Sequence, residues 1–159
     1  MLGLLKCEKG QANMERIAEE NPESEYRAYQ HFISNSNWDC SGLQKSLALD
    51  CSELLLSHKI KSKKPTGYII DESGHLKKGK KSVGVSRQYA GVIGKVDTCQ
   101  IGVYSSLVNE KYTSIINQRL FFPEKWTKDY RACEQAGIPK SYQKYKTKPE
   151  LAIEMIKQD

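Results

Sequence analysis

The chain has 159 residues, 38% of them hydrophobic, and a formal net charge of +6 at pH 7. That length suits one domain or a small domain plus part of another. A mean hydropathy of -0.63, with no apolar run of about 18 residues, excludes a membrane-spanning helix. Met1 to Leu5 is too short an apolar stretch for a signal peptide, and the five cysteines show neither zinc-site spacing nor the even count of a disulfide framework. The expectation is a soluble protein of a reducing, cytoplasmic compartment.

The first third of the chain reads as helices. Asn13 can cap a first helix that Asn21-Pro22 ends. A second helix is predicted from Pro22 to Ser34, where Tyr26, Tyr29, Phe32 and Ile33 form an apolar stripe. After a break at Asn35 to Asn37, with Trp38 packing across it, a third helix is predicted from Asp39 to Ser57. Its leucines at 43, 47, 54 and 55 are spaced for one buried face. Lys59 to Thr66 is a basic linker closed by Pro65.

The pattern then turns to strands. Gly67 to Asp71 is a short apolar run ending in an acid, which predicts a buried strand. Glu72 to Lys81 reads as a charged loop with Gly74 and Gly79 as hinge points. Alternation resumes from Val83 to Tyr89, and Val96 to Val108 and Tyr112 to Phe122 predict two long antiparallel strands joined at Asn109-Glu110-Lys111. A short helix is expected near Asp129 to Ala136, and a last one from Lys148 to Lys157, where Pro149 suits the first turn. A helix placed after three strands ordinarily crosses over to a further strand, so the carboxyl end is expected to be cut off.

Charge is localised. Between Lys59 and Lys81 eight lysines oppose only Asp71 and Glu72, and this window holds the whole +6. Such a cluster suits a polyanion; it is equally compatible with a solvated pair of lysine-rich loops. Asp71 stands out because open α/β sheets place ligands at the carboxyl ends of strands. A carboxylate there can hold Mg²⁺ or Mn²⁺, or it can cap a turn. Arg87, Gln88 and Gln100 are able to contact phosphates or bases, or to serve only as sheet residues. The three histidines are scattered, and no nucleophile elbow or phosphate-binding loop is present.

Resemblance narrows these alternatives. The stretch from Ile69 to Val103, IIDESGHLKKGKKSVGVSRQYAGVIGKVDTCQIGV, resembles the first catalytic strand and following segment of insertion-sequence transposases of the DDE superfamily. Four further pieces are similar to the same family in order: NMERIAE, QHFISNSNWD, RLFFPEKWTKD and AGIPKSYQKYKTKPELAIEMI. The resemblance implies an α+β fold, with a helical region over 1–64 and the first half of an RNase H-like domain over 65–159. In that family three acids hold two divalent cations, Mg²⁺ or Mn²⁺, for DNA cleavage and strand transfer. By motif, Asp71 matches the first acid and metal ligand; Asp97, Asp129, Glu150 and Glu154 do not follow an apolar strand and match neither of the others.

The implied partner is double-stranded DNA at transposon ends, contacted by Lys77, Lys78, Lys80, Lys81, Arg87 and Gln88, with self-association or an intact transposase as a further partner. The implied setting is the bacterial cytoplasm, associated with the nucleoid. The expectation is therefore a transposase fragment that is inactive alone. The alternatives are a non-catalytic DNA-binding or transposase-binding remnant, and an unrelated basic nucleic-acid-binding α+β domain.

Overall fold

The computed structural model describes residues 6–8, 13–21, 25–36, 40–62, 64–79 and 81–159, without the side chains of 41 and 58–62. The chain divides into two compact units, Met1–Cys40 and Ser41–Asp159. The first holds α1 (Met14–Glu19) and α2 (Tyr26–Asn35). The Asn13 side chain accepts a hydrogen bond from the Arg16 N–H at 2.9 Å, so it caps α1 as its sequence position predicts. The apolar stripe of α2 is not buried: Tyr26, Phe32 and Ile33 are exposed. Helical spacing supplies one face of a contact, and burial also needs the other. The predicted break at Asn37 and the packing of Trp38 lie outside the described residues, as does the predicted helix start at Pro22.

α3 (Cys40–Ser62) leads into the second unit and passes the expected end at Ser57. Its last turn contains no helix breaker, and Pro65 is the first hard stop. Among its described side chains Cys51 and Leu55 are buried, while Leu43, Leu47 and Leu54 are exposed. The Cys51 thiol donates to Ser114 Oγ at 3.1 Å.

Four strands form one antiparallel sheet: β1 (Gly67–Leu76), β2 (Ser86–Ala90), β3 (Lys95–Asn109) and β4 (Tyr112–Leu120). The long strand β3 is the hub. β1 pairs with it from Gly67↔Val108 to Leu76↔Cys99, β2 pairs with Lys95–Cys99, and β4 pairs with Gly102–Asn109. β1 thus extends five residues past Asp71, through the stretch expected to be a loop. Pairing with β3 supplies what alternation in Ser73-Gly74-His75 does not. The β3–β4 connection is tight, and Glu110 occupies a left-handed conformation there, φ 54°.

The register slips between Ser105 and Ser106, so that Ile116 is the extra residue of a bulge. This lets the adjacent Ile116 and Asn117 both be buried, which regular alternation forbids. After β4 the chain makes α4 (Glu124–Lys128), α5 (Tyr130–Gln135) and α6 (Lys148–Gln158). The core lies between one sheet face and α6: Cys99, Ile101, Val103 and Ala90 pack with Phe121, Leu151 and Met155. Among the described residues no helix is long and apolar enough to cross a membrane.

Candidate active site

Successive strand residues point to opposite faces, so β1 splits its chemistry between them. Ile70, Glu72 and Gly74 share the face of Ser105, Val103 and Ile101, the face that α6 covers. Glu72 confirms the assignment, since its carboxylate lies 2.7 Å from Lys148 Nζ at the start of α6. Asp71 therefore faces the other way. With Ile69, Ser73 and His75 it stands opposite Ser106, Tyr104, Gly102 and Gln100 on a second face. Asp71 is exposed there, fifth of the ten residues of β1 rather than at its carboxyl end. Its Oδ1 accepts from the Glu72 N–H at 2.8 Å, which leaves Oδ2 open to solvent or a ligand.

Beside it, the His75 Nε2 and the Tyr104 hydroxyl are hydrogen-bonded at 2.8 Å, with the two rings edge to face at 6.3 Å. Tyr104 is the direct cross-strand partner of Asp71, close enough for their side chains to interact. Sequence reading did not single out this pair, because nothing in the one-dimensional pattern relates His75 to a residue on another strand.

The sheet's other face carries a second polar arrangement. The Asp159 carboxylate accepts from the Tyr68 hydroxyl at 2.6 Å, Ser105 Oγ at 2.9 Å and Asn117 Nδ2 at 2.6 Å. Burial, together with that carboxylate, pushes the Tyr68 hydroxyl above its ordinary pKa. Arg119 extends the group, donating to Asn117 Oδ1 at 2.6 Å and to Gln158 Oε1. These contacts fasten the end of α6 to β1, β3 and β4. Burial likewise raises the Cys99 thiol, with Asp97 adding to the rise, so Cys99 packs as a small apolar group.

Among the described residues no three His, Cys, Asp or Glu side chains gather as a metal site. None of the residues that share Asp71's face on β1 or oppose it on β3 is a second acid. Two cations about 3.5–4 Å apart need several shared carboxylate oxygens, so a two-metal centre does not fit these residues alone. The remaining acids considered from sequence are engaged elsewhere. Asp129 caps α5, Glu150 closes a capping box with Thr147, Glu154 pairs with Lys146, and Asp97 accepts from the Thr98 N–H.

The basic candidates separate. Lys77 is half-buried and its N–H donates to the Thr98 carbonyl at 2.9 Å, while Lys78, Lys81 and Arg87 are exposed. The Gln88 amide donates to the Cys99 carbonyl at 3.1 Å within the sheet. Lys80 lies outside the described residues, as do Lys63 and the side chains of Lys59 and Lys61.

Amino-terminal helices, an antiparallel sheet with an exposed aspartate on its first strand, and a helix laid over the opposite face define a mixed α+β protein with a partial RNase H-like fold. The chain belongs to the DDE superfamily endonuclease family, whose model it matches over residues 1–158. It is also 37% identical, over 127 residues, to a protein of Microchaete diplosiphon described as a probable transposase for insertion sequence element IS701. That match takes in 80% of this chain and 29% of the relative, so the chain spans under a third of the relative's length. No solved structure matches it.

Proposed function

We propose that this chain supplies the first catalytic carboxylate, Asp71, and part of the DNA-contacting surface of an insertion-sequence transposase that cleaves and rejoins DNA with Mg²⁺ or Mn²⁺. The supporting observation is the position of Asp71. Within the DESG string that resembles the family's first catalytic motif, it alone of the two acids projects from the open face, while Glu72 is held by Lys148.

The division of labour follows the sequence boundaries, with 1–64 as the helical region and 65–159 as the catalytic one. Asp71 contributes one carboxylate to a metal centre whose other acids belong to the rest of such a protein, as the 29% coverage of the relative allows. Lys77, Lys78, Lys80, Lys81, Arg87 and Gln88 are proposed to meet the DNA of transposon ends, in the bacterial cytoplasm at the nucleoid. The chain alone is proposed to be inactive. A second reading, a non-catalytic remnant that binds DNA or an intact transposase, is favoured by the same solitary carboxylate.

The test is nicking of supercoiled DNA in Mg²⁺ or Mn²⁺ by the 159-residue chain, and by the chain extended with the corresponding carboxyl-terminal region of the Microchaete relative. Nicking by the extended chain only, lost on Asp71→Ala, is expected. Nicking by the short chain would overturn the incomplete site, and nicking by the extended Asp71→Ala variant would overturn the role of Asp71.

A further inference from the structure

At the end of the sheet formed by β2, the segment from Pro123 to Ala136 encloses an open groove of about 1020 Å³. Lys81, Arg87 and Lys125 line it with Trp126, Thr98 and Asp129. The three cations come from separate stretches of chain and all are exposed. None of them has a carboxylate partner among the described residues, whereas Lys64, Lys95, Lys128, Lys146 and Lys148 each have one. Asp129 is the one acid of the lining, and its Oδ1 is occupied by the Ala132 N–H at 3.0 Å. The groove thus sets three cations against one carboxylate and is net positive.

It is also rigid on one side. The Trp126 indole N–H donates to the Val85 carbonyl at 2.8 Å, tying the ring to the residue that precedes β2. The Cys133 thiol donates to the Trp126 carbonyl at 3.2 Å, and the Thr127 hydroxyl to the Glu124 carbonyl at 3.0 Å. An aromatic plate held in place among unpaired cations is the combination that takes a nucleic-acid strand. Phosphates replace the counterions of the cations, and the ring offers a surface to sugar or base.

We infer that this groove holds the sugar–phosphate backbone of DNA, through Lys81, Arg87 and Lys125 and against Trp126. The inference rests on the DNA reading above and gives it a place away from Asp71. It draws Lys125 and Trp126 into the contact and leaves out Gln88, whose amide is committed to the sheet.

Equilibrium binding of labelled duplex and single-stranded oligonucleotides of one random sequence, measured by fluorescence anisotropy across a salt series, tests it. The 159-residue chain is compared with Lys81→Ala/Arg87→Ala/Lys125→Ala and with a control of equal charge, Lys140→Ala/Lys144→Ala/Lys157→Ala. All six residues are exposed, so the fold is retained. The groove variant is expected to bind at least tenfold more weakly than the control. Its log–log salt slope should be shallower by about 0.9 for each duplex phosphate it no longer neutralises, or about 0.7 on a single strand. The larger drop in affinity, on duplex or on single strand, identifies which form the groove takes. Equal weakening in the two variants would overturn the inference, as would absence of binding by the parent chain at about 50 mM salt. Asp71-dependent nicking by the extended chain, alongside an unaffected groove variant, would remove the groove and leave the proposed function standing.

Discussion

Tyr104 lies across the Asp71 face because Gly102 has no side chain: a Cβ there would sit 2.6 Å from the Tyr104 hydroxyl oxygen. The backbone of Gly102 is ordinary extended strand, so a methyl group would displace the flexible end of the tyrosine rather than break the sheet. Gly102→Ala is therefore expected to move the ring off His75 at little cost in stability. The His75 ring signals in a proton–nitrogen NMR spectrum should shift toward those of Tyr104→Phe; signals matching the parent chain would show that the ring tolerates the methyl. Asp71 differs in kind. It is exposed and its carboxylate bonds to the N–H of the next residue, so Asp71→Asn should alter stability by no more than about 0.5 kcal/mol. Under the proposed function, its contribution is to chemistry and not to folding.

The element with the most deliberate ends is α6. The Thr147 hydroxyl accepts from the Glu150 N–H at 3.3 Å, and Glu150 Oε2 accepts from the Thr147 N–H at 2.7 Å, a reciprocal capping box with Pro149 in the first turn. Those bonds hold the Glu150 carboxyl below its ordinary pKa, the Thr147 backbone N–H first and its hydroxyl second. A group whose folded pKa is depressed stabilises the fold at pH above its unfolded value and loses that contribution as pH falls through the folded one. Glu150→Gln should accordingly lower the neutral plateau of Tm slightly while leaving the acid end unchanged, so that the acid limb flattens; an acid limb as steep as the parent's would refute the linkage. Thr147→Ala, which removes the side-chain cap, is expected to cost about 1 kcal/mol in chemical denaturation at neutral pH. Lys148 joins the start of the helix to Glu72 of β1, and the three donors on Asp159 fix the other end, so α6 is tied to the sheet at both ends and through Met155 between them.

Across the whole molecule, what could be read in advance was what repeats locally. Val96 to Val108 lies within β3, and the stretch expected from Tyr112 to Phe122 forms β4 as far as Leu120, two residues short; Asn13 and Pro149 mark helix starts by their chemistry alone. The second half of β1 was hidden, because Ser73, Gly74 and His75 have no strand pattern and are held straight by β3. Asp71 was recognisable from its motif, but its direction was not, since that depends on Glu72 meeting Lys148 from a helix far along the chain. Lys125 was hidden for another reason. In sequence its charge is offset by Glu124 and Asp129, and only folding carries it to Lys81 and Arg87. The hub position of β3 also orders events in time. Its turn-joined contacts with β4 close a short loop, whereas those with β1 must first bring Leu76 to Cys99 across the longer stretch that contains β2, and entropy makes the longer closure slower to begin. The β3–β4 hairpin is thus expected to be the folding nucleus, with β1 zipping on afterwards. Conservative truncations at Ile116 should slow refolding, while those at Ile70 should chiefly hasten unfolding in stopped-flow chevrons. The strand that bears the aspartate would then be the last to arrive and the first to leave, so Asp71 takes its place only on a sheet already assembled.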